Sequence, residues 1–164
     1  MKVKMRLFLF VAIATLLVAC EPTEKELIIG KWKYSRLEKR GKAFLSADQA
    51  EAKRIIDRHV LDNMEYIKDV AKFRENAMEE MAQRLNVYLD FTTDSTVAII
   101  DQSSGQPFSE TWKYSMNEDA HNLTLESSGR RIQYIYKLEN GVLELTEGTA
   151  SGGLKIQLKK DAKK

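Results

Sequence analysis

Residues 108–147 read FSETWKYSMNEDAHNLTLESSGRRIQYIYKLENGVLELTE, and this stretch decides the fold class. Trp112, Tyr114 and Met116 share one parity, while Lys113 and Ser115 take the other. Ile132, Tyr134, Tyr136 and Leu138 likewise stand opposite Arg131, Gln133 and Lys137. A period of two with one apolar face describes a strand half buried against a core. Asn140-Gly141, set between two such runs, suits the left-handed backbone of a two-residue hairpin turn. Strands are therefore expected at 108–116, 122–127, 130–139 and 142–148.

The pattern extends in both directions. Strands at 86–93 and 96–102 flank the turn Thr93-Asp94-Ser95, and another at 153–159 follows Gly152-Gly153. Near the amino terminus, Ile28, Gly30, Trp32 and Tyr34 alternate with Lys31, Lys33 and Ser35, which predicts a first strand over 27–38. Eight antiparallel strands joined by short turns close into an up-and-down barrel, which leaves no sheet edge open. Such a barrel is just wide enough for its side chains to fill it, or to hold one small ligand. With four Tyr and two Trp on the inward parity, any cavity is expected to be small and lined by hydroxyls.

One segment breaks the alternation. Between Ser46 and Leu85 there is neither Gly nor Pro, and Val60, Met64, Ile67, Ala71, Met78, Met81 and Leu85 follow helical spacing. Ser46 with Gln49 reads as a capping box. A single helix of this length would run about 60 Å, too long for a small domain. A break is therefore expected near Asp62, where Asp62 and Glu65 offer a second box. The fold class that follows is mainly β: an eight-stranded antiparallel barrel with a helical insertion at about 46–86, between strands 1 and 2. The Met-bearing seam is expected to pack on the domain.

The first residues carry a different message. Lys2, Lys4 and Arg6 precede an apolar run from Leu7 to Ala19, whose 13 residues fall short of the roughly 20 that span a bilayer. This is the layout of a secretory signal over 1–19. Leu17-Val18-Ala19-Cys20 resembles the lipobox of bacterial lipoproteins. The resemblance implies cleavage before Cys20, lipidation of its thiol, and a membrane-anchored protein of the cell envelope, with residues 20–26 as tether. It leaves inner and outer membrane undecided. Removal of 1–19 takes three cations from 26 Lys+Arg, against 24 Asp+Glu, for a net charge of −1. No nucleic-acid partner is expected at that balance. Cys20 is the sole cysteine, so no disulfide supports the fold.

Gly30-Lys31-Trp32 on the first strand resembles the G-x-W of lipocalins, and the order of lipobox, G-x-W strand, helices and seven strands resembles the lipocalin-like domains of bacterial lipoproteins. That resemblance covers 27–159, and the barrel domain is expected over 27–160, with 161–164 left as a basic tail. It implies a ligand at the barrel mouth and an Arg from the last strand over Trp32. Leu154 to Lys160 has no Arg, and Lys159 is the candidate substitute.

Strand direction places the candidate mouth. If the first strand begins at the bottom, Arg36, Glu38, Asp101, Glu110, Arg130 and Glu147 continue the inward parities to the top. Tyr34, Trp112 and Tyr134 would then supply apolar contact and hydroxyls to a small amphiphile. Arg36 and Arg130 would meet an anionic head, with Glu110 beside them. His59 and His121 are the only histidines, and neither has a metal-ligand partner at suitable spacing, so no metal site is expected. No G-x-S-x-G, Walker or G-x-G-x-x-G motif occurs, and no catalysis or cofactor is expected. Two roles remain: binding of a small, partly apolar ligand, or a filled barrel whose helices contact an envelope protein partner.

Overall fold

The computed structural model describes residues 22–148 and 153–161. Residues 1–21, with the signal-like segment and Cys20, and residues 149–152 and 162–164 lie outside the described residues. The chain opens with a short helix, α1 (Glu24–Ile28), followed by β1 (Gly30–Lys39) and β2 (Lys42–Ser46). Two helices come next, α2 (Gln49–Asp62) and α3 (Val70–Arg84). Seven strands complete the chain: β3 (Val87–Phe91), β4 (Thr96–Asp101), β5 (Phe108–Asn117), β6 (Asn122–Ser127), β7 (Arg130–Glu139), β8 (Val142–Glu147) and β9 (Leu154–Lys160).

Every strand pairing is antiparallel, in the order β2-β1-β3-β4-β5-β6-β7-β8-β9, and β1 also pairs with β9. The sheet therefore closes as an eight-stranded barrel of β1 and β3 to β9. β2 is an additional strand, laid along the upper half of the β1 edge whose lower half pairs with β3. Asn140 and Gly141 adopt φ of 51° and 72°, the pair of left-handed residues that a two-residue hairpin of this kind requires. Arg40 and Gly41, at 53° and 73°, make the same turn between β1 and β2.

Two apolar clusters hold the molecule together. Trp32, Phe91, Val97, Leu123, Leu143 and Leu158 are among the residues that fill the barrel, each 1% exposed or less. At about 1.5–3 kcal/mol for each large apolar side chain removed from water, this interior is the main stabilising element. Both Trp and the four expected Tyr belong to the cluster or pack against it. Leu45, Ala52, Ile56, Val60, Met81 and Leu85 form the second cluster, where the helix pair packs on β2. Tyr34 is shared by both.

The expectations need correction in four places. Leu27 and Ile28 begin no strand: Thr23 and Glu26 form a capping box that makes 24–28 helical. The helices start later than the Ser46/Gln49 and Asp62/Glu65 boxes suggest, because Asp48 and Asp69 are the N-caps, accepting from Glu51 and Lys72 amides. The break does fall at Asp62, but it spans 63–69, so Met64 sits in a turn and is 60% exposed rather than packed. The fourth correction concerns β1. Tyr34 lies opposite Leu158 but Arg36 lies opposite Gln157, so Ser35 is an extra residue. A bulge of this kind reverses the parity beyond it. Leu37 now lies opposite the buried Ile156, and Arg36 and Glu38 face outward instead of into the mouth.

Candidate functional site

The bulge is pinned from both sides. The Ser35 hydroxyl donates to the Gln157 carbonyl at 3.0 Å, and the Ala47 amide donates to the Ser35 carbonyl at 2.8 Å. Arg36, turned outward, is clamped by Glu51 of α2 at 3.0 Å and by Glu38 at 2.5 Å. The Arg36 hydrogen bond, helped by the Ser46 hydroxyl, holds the Glu51 carboxyl below the ordinary glutamate range. This guanidinium joins a helix to the barrel wall and is already engaged by two carboxylates.

At the upper end of the barrel the inward parity holds Tyr34, Asp101, Glu110, Arg130, Tyr134 and Glu147. Arg130 donates to Glu110 at 2.6 Å, and its guanidinium carbon lies 4.8 Å from the centre of the Trp112 ring. Ser127 adds a bond to Glu110 at 3.2 Å. Burial pushes the Glu110 carboxyl upward, but the Trp112 side chain, Arg130 and Ser127 together hold it below its usual range. The Trp112 indole nitrogen is itself buried without a well-formed hydrogen bond. Across the barrel, burial raises the Tyr34 phenol well above its ordinary value, reinforced by Tyr134 and Asp101. The Tyr134 phenol is raised by burial and by Glu147. Both hydroxyls are therefore neutral donors at neutral pH, while the charges round them are mostly acidic.

The expected six-residue mouth is thus divided. Glu110, Trp112 and Arg130 form one ion-paired group, whose Trp112 and Arg130 also line an open, largely polar-rimmed cleft of about 670 Å³ with Lys113 and Arg131. Tyr34 and Tyr134 approach each other inside, and Arg36 is outside. The lower end is closed. The Trp32 indole donates to the Ile28 carbonyl at 2.6 Å, and Lys160, not Lys159, lies over its ring at 5.4 Å and donates to the Leu27 carbonyl. The Tyr136 hydroxyl donates to Glu24 of α1. His121 lies 3.8 Å from Glu24 and His59 stacks on Phe73; no cluster able to hold a metal ion exists among the described residues.

A more apolar cleft lies between the helix pair and β1. It encloses about 350 Å³, at the lower end of the range of small-molecule sites. Ala52, Met78, Met81, Ala82 and Leu85 supply its apolar wall, Tyr34 lies against it, and Lys33 and Lys159 stand at its edge. Of the seven half-buried residues packed against the barrel interior, Tyr34 and Leu138 line clefts, while Ile99, Met116, Ile132, Tyr134 and Leu154 line none of the five principal ones. Met78 and Met81 were legible as a helical seam. Lys33 and Lys159 were not, because only barrel closure brings them together.

No protein-family model matches the sequence, and no curated protein is significantly similar to it. Solved structures do resemble it. Its fold is similar to that of a DUF4847 protein. The crystal structure of that family member, from Bacteroides vulgatus, superposes with a TM-score of 0.50 at 10% identity, covering 82% of this chain and 94% of that chain. A likeness at this identity speaks for the barrel architecture and for nothing about a ligand. No described helix is long and apolar enough to cross a membrane.

Proposed function

We propose that this chain is a bacterial lipoprotein, held to a membrane of the cell envelope by a lipid on Cys20. Its lipocalin-like barrel is a non-catalytic binding domain for a small, partly apolar molecule. The binding place is not the mouth of the barrel but the cleft between the helices and β1. The observation that carries this reading is the contrast between the two sites. Aromatic and aliphatic side chains fill the barrel, and Arg130 with Glu110 occupies its upper end over Trp112. The helix cleft, in contrast, presents methionine, alanine and leucine around a space of about 350 Å³. Methionine side chains adapt to irregular apolar ligands more readily than branched ones.

Native mass spectrometry of the protein purified from its host tests the reading. The wild type should carry a small co-purified mass that Ala82→Trp, which fills the cleft, loses. A wild type free of any adduct, or an adduct retained by Ala82→Trp, overturns it. A second reading has its own observation in favour: Leu61, Met64 and Tyr66 at the α2–α3 junction are 70%, 60% and 77% exposed. Three large apolar side chains together on a surface suit contact with an envelope protein. Cross-linking from position 64 in intact cells, compared with position 104 on the barrel, separates the two readings.

A further inference from the structure

We propose that the cleft beside β1 selects an anionic amphiphile, its head group read by Lys33 and Lys159; this rests on the cleft reading above and names the ligand class. Lys33 and Lys159 are direct cross-strand partners in the β1–β9 pairing. Like charges in that position repel, and a sheet normally avoids them. Neither lysine forms an ion pair among the described residues, whereas Lys155 on the same strand is matched by Glu144 and Lys137 on β7 by Glu139. The cleft wall contains no carboxylate at all, so its only charges are these two cations. Lys33 also lies 5.4 Å from the Tyr88 ring, which keeps its ammonium close to the barrel wall. Both lysines therefore line the edge of a pocket whose wall includes Met78, Met81, Ala82 and Leu85. A carboxylate, sulfonate or phosphate on a medium-length apolar tail satisfies both parts. Its head relieves the repulsion between the lysines and its tail removes the methionine wall from water. Such a molecule can arrive free in solution or as the head of a membrane lipid.

Both core clusters lie within residues 28–158, so a chain beginning at Glu21 keeps the whole described fold and serves for the test. Decanoate and the uncharged decan-1-ol are titrated calorimetrically into this chain, Lys33→Gln/Lys159→Gln, and Ala82→Trp. The wild type should bind decanoate saturably and more tightly than decan-1-ol. The double variant should lose about tenfold or more for decanoate with little change for decan-1-ol, and Ala82→Trp should lose both. If neither probe binds the wild type, the cleft reading itself fails. If both bind but the double variant leaves decanoate unchanged, the cleft stands and the anionic selection is wrong. Co-sedimentation with phosphatidylglycerol and phosphatidylcholine vesicles separates the sources. If the lysines govern capture by anionic vesicles while free decanoate binding is unaffected, they are a membrane contact and the inference is overturned. If decanoate binding depends on them and vesicle capture does not, the ligand is a free amphiphile. Dependence in both assays assigns the same site to a lipid head group.

Discussion

A single inserted residue, Ser35, redirects Arg36 and Glu38. With its hydroxyl on the Gln157 carbonyl, it turns Arg36 away from the barrel and onto Glu51. The Glu51 carboxyl is held below the ordinary glutamate value chiefly by that bond. A depressed folded value stabilises the protein above the ordinary range of about 4.3, and the contribution is lost as pH falls through the lowered value. Glu51→Gln should therefore cost about 0.5–1 kcal/mol near neutrality, and its melting curve should converge on that of the wild type as the pH falls below the ordinary glutamate range. A difference that persists unchanged into acid would show the bond to matter by shape alone. At the same scale, Lys160 takes the place over Trp32 that Lys159 was expected to take. Lys160 lies opposite Trp32 in the β1–β9 register and so shares its face, whereas Lys159 faces outward with Lys33. Alternation along β9, with Leu154, Ile156 and Leu158 inward, already points to Lys160, which the expected strand end at 159 left out.

Among the elements, β2 and α1 went unread although both had signals. Arg40-Gly41 is a two-residue turn of the same kind as Asn140-Gly141, but the runs beside it alternate poorly because of the bulge. Thr23 and Glu26 satisfy the rule for a capping box, yet Leu27 to Tyr34 also alternates, and the short helix ends where that alternation begins. The helix pair was legible as helices because 46–85 lacks both breakers and carries 3–4 spacing. Its partner was not legible. Helices α2 and α3 pack on Leu45, Leu37 and Tyr34 in a core separate from the barrel interior, and none of residues 49–84 belongs to the interior cluster. Replacing 49–84 by a Gly/Ser linker should accordingly leave a β-type circular dichroism spectrum and a cooperative melt, at a lower midpoint because Leu45 and Leu37 lose their cover. A non-cooperative transition would mean that the second core is required for the first.

For the whole molecule, orientation follows from where the chain enters. Under the proposed lipidation, the anchor at Cys20 lies three residues before the Thr23 cap, about 10 Å at full extension, and α1 is fastened beneath the barrel by Tyr136–Glu24, Trp32–Ile28 and Lys160–Leu27 bonds. The lower end should then rest against the bilayer, with the β4–β5 loop directed away. Spin labels at positions 161 and 104 of the liposome-anchored protein check this: the first should be shielded from an aqueous relaxant and the second reached by it. Equal accessibility would mean that the barrel tumbles on its tether. Closure of the barrel also sets the limit on what the sequence could say. The eight barrel strands, their antiparallel order, the inward aromatic set and the helical segment were determined by the sequence itself, since each depends on periodicity over a few neighbouring residues and on turn residues with known backbone needs. The tertiary structure alone decided the bulge, the added strand β2 and the cleft. Ser35 and Gln157 are 122 residues apart, and Lys33 meets Lys159 only because β9 returns to β1. Register between strands so distant is chosen by the total burial of the closed barrel, a quantity no local pattern contains.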